Sequence, residues 1–156
     1  AVWLAPDETT WVDVVLPASD PHWVDDVSRA ALWLGRAWVD ALAQVGVAAS
    51  VHEGPMVRTR WSGVACFAGL APGEVVVDGR KVVGIAQRRT RAGARFQCAV
   101  VHRWDPEPLA DLLVLDPSDR GDLVAELRRS AAGIGPVEPA DLVGTLAVVL
   151  GRASSS

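Results

Sequence analysis

The sequence lacks many of the features that place a protein in a class at once. It has two cysteines, three histidines and no tyrosine in 156 residues. None of the cysteines or histidines stands at metal-ligand spacing, so we expect no metal site. No apolar run approaches the length of a membrane span, and the chain does not open on a basic region followed by an apolar one. A Walker-type loop and a dinucleotide-binding fingerprint are also absent. The few cysteines predict a reducing, cytoplasmic location.

Charge and size restrict the remaining classes. A net charge of −4 argues against binding to nucleic acid or to an anionic membrane surface. Half of the residues are apolar and 22% are charged, so we expect a folded core rather than disorder. A chain of 156 residues is one domain by size. We therefore expect a single domain over residues 1–153 and a disordered serine tail at 154–156.

The order of the predicted elements indicates an α+β fold. A strand over 11–16 ends at Pro17, and a helix follows from an Asp20-Pro21 start to a stop at Gly46. Further elements are expected at 47–52 (strand), 63–67 (start of a sheet region), 94–103 (strand), and 108–114, 122–132 and 140–152 (helices). This order predicts a mixed, largely antiparallel sheet with helices packed on one face.

The most specific signal lies in a predicted β-hairpin. Its strands are expected at 75–77 and 82–85, with an Asp78-Gly79 turn between them. Lys81 follows the turn, and Gly84 stands in the middle of the second strand. An ammonium can neutralise developing negative charge, and a glycine lets a ligand approach the backbone. The hairpin therefore suits a phosphate or carboxylate ligand.

The details of this hairpin resemble the lipoate–protein ligase branch of the biotin/lipoate protein ligase superfamily. That family carries the pattern E-x-x-x-x-G-[RK]-K-[IV]-x-G-x-A-x-R. The residues that fill it here are Glu74, Gly79, Arg80, Lys81, Val82, Gly84, Ala86 and Arg88. The resemblance extends to Cys66-Phe67 and to the opening segment 1–17. The family's Arg-Arg-x-Gly-Gly-Gly element is missing, so we expect an N-terminally incomplete catalytic domain, either truncated or completed by a second chain.

The resemblance implies a two-step acyl transfer. Lipoate or octanoate would be activated with ATP and its Mg²⁺ as an acyl-adenylate, and the acyl group would pass to a lysine of a carrier domain. The implied carriers are lipoyl domains of 2-oxoacid dehydrogenase complexes or the glycine cleavage H protein. Lys81 matches the family's catalytic lysine, whose fixed charge stabilises both transition states. The implied substrate- and adenylate-binding residues are Gly79, Arg80, Gly84, Ile85, Ala86, Gln87 and Arg88.

Several of these assignments have a purely structural alternative. Lys81 could be a solvated lysine beside a turn, and the positive φ of an Asp-Gly turn is enough to explain Gly79. Gln87 and Arg88 could be solvated residues at a strand end. If Lys81 is catalytic, we expect Lys81→Ala in a complete enzyme to lower adenylate formation by orders of magnitude and to leave thermal stability nearly unchanged.

Cys66 supports a rival mechanism. Octanoyltransferases of the same superfamily use a cysteine near this hairpin as a nucleophile that takes octanoate from its carrier without ATP. The alternative for Cys66 is a small buried apolar residue, the usual state of a free cysteine. Many relatives also have a His-Gly pair where this chain has Gln97-Cys98, which weighs against the octanoyltransferase. A non-catalytic partner subunit and, more weakly, biotin ligation complete the alternatives.

Overall fold

The computed structural model describes residues 2–153, and the predicted tail at 154–156 lies outside the described residues. The strands are β1 (Thr9–Pro17), β2 (Ser50–Val51), β3 (Val75–Val77), β4 (Arg80–Arg89) and β5 (Gly93–Val101). The helices are α1 (Leu32–Gln44), α2 (Glu107–Asp111), α3 (Pro117–Ser130) and α4 (Pro139–Ala153). Short 3₁₀ turns cover Pro6–Glu8 and Cys66–Ala68. Within residues 2–153, no helix has the length and apolar character needed to cross a membrane.

The strands form one sheet in the order β1-β5-β4-β3-β2, and every pair of neighbours is antiparallel. The α+β class and the largely antiparallel sheet are therefore confirmed. A single parallel bridge joins Lys81 of β4 to Ala131, which follows α3. The backbone carbonyl of Lys81 also accepts the N–H of Ala132 at 3.0 Å. These contacts fix the end of α3 against the start of β4.

Two apolar clusters form on opposite faces of the sheet, as the alternation along β5 shows. Phe96 and Cys98 belong to the first cluster, together with side chains of α1 and α4. Ala99 and Val101 belong to the second cluster, together with side chains of α2, α3 and the 66–68 turn. Successive residues of a strand point to opposite faces. The helices α1 and α4 share one face, and α2 and α3 contribute to the cluster on the other, so helices pack on both faces and not on the single face that was expected.

The predicted helix start at Asp20-Pro21 is wrong, because α1 begins at Leu32. The Asp20 carboxylate instead accepts the N–H of His22 at 2.8 Å and closes a turn. Residues 18–31 form a strap without regular secondary structure apart from turns. Arg89 donates to the carbonyls of residues 24 and 25, and Gln87 donates to the carbonyl of 27. A helix would need these carbonyls for its own N–H groups, so the side chains of β4 replace the helical bonds.

Other boundaries follow the sequence to differing degrees. The predicted sheet region at 63–67 is wrong, since these residues form a turn and the start of the 3₁₀ turn at Cys66–Ala68. The stop of α1 at Gly46 is confirmed, with φ at +84°. The Asp78-Gly79 turn is also confirmed, with φ at +49° and +74°. Both angles are positive, as the two-residue turn of a tight hairpin requires.

Candidate functional site

A β-bulge in the hairpin determines which side chains share a face. The ladder between β3 and β4 contains one extra residue, Val82, between the paired positions Lys81 and Val83. Val82 and Val83 are therefore both buried in the first cluster. Strict alternation would put Lys81 and Gly84 on opposite faces, but the bulge places them on the same one. Both face the ring of Phe67.

The ammonium of Lys81 is buried and fully hydrogen-bonded. Its side chain is 3% exposed. The Nζ atom donates to the carbonyl oxygens of Cys66 at 2.8 Å and Gly69 at 2.6 Å. It also donates to Oε2 of Glu74 at 3.0 Å, and it lies 5.0 Å from the centre of the Phe67 ring. An ammonium has three hydrogens, and these three acceptors account for all of them.

Glu74 is held as firmly as the lysine that it pairs with. Its side chain is 9% exposed. Besides Lys81, Oε2 accepts the backbone N–H of Ala71 at 2.7 Å, and Oε1 accepts the N–H of Ile85 at 3.3 Å. Buried charges are stable in a protein when they are paired and hydrogen-bonded in this way. The carboxylate therefore has a fixed position between the 3₁₀ turn and β4.

An apolar cavity of about 130 Å³ opens beside this ion pair. One wall is formed by β4 and the 66–67 segment, and the other by the N-terminal residues, β1 and β5. The residues that line it are Val2, Leu4, Trp11, Cys66, Phe67, Glu74, Lys81, Gly84, Ile85, Ala86, Gln97 and Ala99. The site thus combines one buried ion pair with a mostly apolar wall, which is a common composition for a small-molecule pocket.

Five residues singled out from the sequence meet at this cavity: Lys81, Gly84, Ile85, Ala86 and Cys66. Gly84 leaves space there, since a Cβ on it would lie 3.3 Å from Cζ of Phe67. Ile85 also contributes the N–H that Glu74 accepts.

The other four predicted site residues lie elsewhere. Gly79 is at the exposed tip of the hairpin, where a Cβ would meet nothing within 4 Å, and Arg80 beside it is exposed. Gln87 pairs with Phe96 across the ladder and donates to the carbonyl of Val27 at 2.6 Å. Arg88 is exposed beyond the cavity. In this structure Gln87 fastens the strap, and none of the four lines the cavity.

The structure contradicts two of the purely structural alternatives that were considered for the predicted site residues. Lys81 is not a solvated residue beside a turn, because it is buried in an ion pair. Because Lys81 is in a buried ion pair, we now expect Lys81→Ala to lower stability, since removing one partner of such a pair costs about 3–5 kcal/mol. Cys66 is exposed rather than buried. The buried cysteine is Cys98, and burial raises the pKa of its thiol to about 11.

Two further groups of the site were not singled out as site residues from the sequence. Glu74 opens the hairpin pattern, but nothing local shows that its carboxylate folds back onto Lys81. Phe67 supplies the ring beneath both Lys81 and Gly84. One signal was available: Lys81 is the only lysine among 15 basic residues, so the single ammonium side chain of the chain lies at this cavity.

The described residues 2–153 contain no group of three or more His, Cys, Asp or Glu side chains that could hold a metal ion. Mg²⁺ is usually bound through one or two carboxylates together with substrate phosphates. No magnesium ligand is therefore assigned in this part of the chain.

The chain belongs to the lipoyl protein ligase A/B catalytic domain family, which matches residues 1–137. No curated protein matches the chain. Among solved structures, it is similar to a bi-partite lipoate protein ligase from Thermoplasma acidophilum, whose report includes its E2 lipoyl domain. The TM-score is 0.63 at 17% identity, over 91% of this chain and 49% of that one.

Two further solved structures have the same fold. A T. acidophilum protein with bound lipoic acid gives a TM-score of 0.55 at 14% identity, over 91% of this chain and 49% of that one. A biotin protein ligase variant from Aquifex aeolicus in complex with biotin gives a TM-score of 0.52 at 12% identity, over 96% of this chain and 52% of that one. At these identities the likeness shows the fold. The present chain spans about half the length of the solved chains that it matches.

Proposed function

We propose that this domain carries the acid-activating site of an ATP-dependent lipoate–protein ligase. The observation that supports this most directly is the buried Lys81 ammonium in the wall of an apolar cavity of about 130 Å³. A carboxylic acid with an apolar tail needs such a combination of a cation and an apolar wall. The bound lipoic acid and biotin of the structural neighbours support the same class of ligand.

In the first step, an oxygen of the lipoate or octanoate carboxylate attacks the α-phosphorus of ATP. A new O–P bond forms, which creates the C–O–P linkage of the acyl-adenylate, and the bond from the α-phosphorus to the pyrophosphate oxygen breaks. Negative charge accumulates on the phosphorus oxygens, and the Lys81 ammonium stabilises it more in the transition state than in the ground state. Because its three hydrogens already have acceptors, Lys81 acts through its charge, and a direct bond to the ligand requires the release of one acceptor.

In the second step, the amine of a carrier lysine attacks the acyl carbon, AMP leaves with the electron pair of the C–O bond, and the amine loses a proton. The carriers would be lipoyl domains of 2-oxoacid dehydrogenase complexes or the glycine cleavage H protein. The E2 lipoyl domain reported with the bi-partite ligase supports this class of partner, and that ligase also supports a second chain as part of the enzyme. Mg²⁺ would accompany ATP, and no step is assigned to it.

Ligand binding can be tested by thermal unfolding with a non-hydrolysable lipoyl-adenylate analogue. At one hundred times its dissociation constant, a ligand stabilises the folded state by about 2.7 kcal/mol, which is roughly a 5–10 °C rise in Tm here. The matched variant is Lys81→Met combined with Glu74→Gln, which removes both buried charges and so avoids an unpaired one. We expect the rise in the wild type and its loss in the double variant.

The same rise in both proteins would contradict a role for Lys81. If neither protein responds, the test is repeated with the glycine-rich Arg-Arg-x-Gly-Gly-Gly segment supplied as a second chain. A continued lack of response would then favour a non-catalytic subunit.

One observation also supports the cysteine-dependent octanoyltransferase as a second candidate: the exposed Cys66 lines the same cavity as Lys81. The two mechanisms differ in their dependence on ATP and on the thiol. Under the ligase proposal, Cys66→Ala retains ATP-dependent transfer. An octanoyl thioester trapped on Cys66 in the absence of ATP, detected by mass spectrometry, would favour the octanoyltransferase.

A further inference from the structure

A site that handles an activated acyl group has a chemical problem if its own wall contains an amine. The amine of a carrier lysine is the nucleophile that receives the acyl group. Lys81, the only lysine of the sequence, lies at the same cavity. If Lys81 were a free amine, it would compete with the carrier for the acyl group. The site needs its positive charge without its nucleophilicity.

The geometry around Lys81 separates these two properties. An amine attacks through its lone pair, and an ammonium has none. All three hydrogens of the Lys81 ammonium point to acceptors at 2.6–3.0 Å. Two of the acceptors are neutral carbonyl oxygens, which bond to the ammonium but carry no net charge. Glu74 is the carboxylate that balances the charge.

We propose that Glu74 is a positioning residue that keeps Lys81 as a fixed, non-nucleophilic cation and so protects it from acylation at its own site. This inference rests on the proposed function for the identity of the acyl donor. Burial penalises an ammonium that has no counter-charge and favours the neutral amine. The Glu74 carboxylate supplies the counter-charge, with its Oε2 atom 3.0 Å from Nζ of Lys81. The N–H groups of Ala71 and Ile85 prevent the carboxylate from turning away.

Without the carboxylate, the unwanted reaction is an ordinary aminolysis. Lys81 loses a proton to solvent, and its lone pair attacks the acyl carbon of the acyl-adenylate. The C–O bond to the phosphate breaks and AMP leaves with that electron pair. The nitrogen then releases a second proton to solvent, which leaves an amide on Lys81. The product has lost the positive charge that the first step requires. Self-acylation therefore inactivates the site.

The test measures acylation of Lys81 by peptide mass spectrometry. Two probes are used: N-hydroxysuccinimidyl acetate, which reacts with any accessible amine, and synthetic octanoyl-adenylate. Free Nα-acetyl-lysine in the same tube is the reference amine. We expect wild-type Lys81 to react at least about tenfold more slowly than the reference, and about tenfold more slowly than Lys81 in Glu74→Gln. Glu74→Asp keeps the charge and is expected to remain protected.

A destabilised control variant distinguishes the protection of Lys81 by Glu74 from a general loss of stability. Leu34→Ala removes a fully buried side chain of the first cluster, on the face of the sheet opposite the Phe67 ring that Lys81 contacts. It lowers stability and should leave Lys81 unreactive. Equal labelling of Lys81 in Leu34→Ala and Glu74→Gln would overturn the proposal, as would wild-type labelling at the rate of the reference amine.

A second measurement needs no variant. Because the sequence has one lysine, 15N-lysine labelling gives a single side-chain amine signal. We expect an ammonium signal whose hydrogens exchange slowly enough to be observed at 25 °C. A signal lost through fast exchange would overturn the proposal even if Glu74→Gln does not fold. Labelling with N-hydroxysuccinimidyl acetate does not depend on adenylate binding. Its result can therefore contradict the role of Glu74 while the ligase proposal holds, or support that role while the ligase proposal fails.

Discussion

At the scale of single residues, the site depends on the lack of a side chain at Gly84. Gly84 has no side chain, so the ring of Phe67 and the carboxylate of Glu74 can both approach the backbone of β4. A Cβ there would lie 3.3 Å from Cζ of Phe67 and 3.7 Å from Oε1 of Glu74. Phe67 in turn packs against Trp104, with ring centres 5.1 Å apart, which restricts its movement. The space at Gly84, the position of the Glu74 carboxylate and the position of the Phe67 ring therefore depend on one another.

We expect Gly84→Ala to weaken binding of the adenylate analogue several-fold at a stability cost of only about 1 kcal/mol. Overpacking costs about 1–3 kcal/mol, but alanine in a strand recovers roughly 0.5–1 kcal/mol relative to glycine. The matched control is Gly79→Ala, where a Cβ meets nothing within 4 Å but φ is +74°. That variant should lose stability through backbone strain and keep its affinity, as isothermal titration and thermal unfolding would show. Equal affinity losses in both variants would contradict this account of Gly84.

At the scale of elements, β4 performs two tasks on its two faces. Lys81 and Gly84 face the cavity, and further along the strand Gln87 and Arg89 hold the strap over 18–31. Arg89 donates to the carbonyls of Asp25 at 3.1 Å and Val24 at 2.7 Å. Its guanidinium also lies 4.0 Å from the centre of the Trp23 ring. Arg89, which directly follows the last position of the hairpin pattern, is thus a structural residue.

We expect Arg89→Ala to destabilise the protein by about 1–2 kcal/mol, because it removes two hydrogen bonds and a cation–π contact. Amide hydrogen exchange should increase mainly within residues 20–31. The neighbouring exposed Arg88 supplies the control, since Arg88→Ala should change stability by no more than about 0.5 kcal/mol. Unchanged exchange in the strap of the Arg89 variant would show that other contacts hold it.

At the scale of the protein as a whole, the first cluster encloses the thiol of Cys98. Its burial makes the free energy of unfolding depend on pH in the alkaline range. Cys98 is 0% exposed among side chains of α1, α4 and the sheet. Loss of water around it raises the pKa of its thiol from 9.0 to about 11. Below pH 9 the thiol is protonated in both the folded and the unfolded chain, so it adds no pH dependence. Between pH 9 and about 11, the thiol loses its proton in the unfolded chain and keeps it in the folded chain.

We therefore expect stability to fall as pH rises from about 9 to 11, by at most about 2–3 kcal/mol from this group. Urea unfolding of the wild type and Cys98→Ala across this range measures the effect as the difference between their slopes. Cys98→Ala is less stable at neutral pH because it leaves a cavity, but it lacks this part of the slope. Parallel curves for the wild type and Cys98→Ala would contradict the prediction.

The features that depend on neighbouring residues could be predicted from the amino-acid sequence alone. These include the α+β class, the Asp78-Gly79 turn, the stop of α1 at Gly46, the family and the interest in Lys81. Turns and hairpins are set by local backbone preference, and the family pattern is a string of adjacent residues. The sequence also suggested a helix start at Asp20-Pro21, because that pair is a good local cap.

The other features follow from the packing of the folded chain, because each of them joins residues that are distant in the sequence. Side chains of β4 take the carbonyls of the strap and so delay the start of α1 to Leu32. One extra residue in the ladder moves Lys81 onto the face of Gly84. The carbonyls of Cys66 and Gly69 and the carboxylate of Glu74 then enclose the ammonium. No local preference encodes these contacts, and they convert a lysine beside a turn into a buried cation at a cavity.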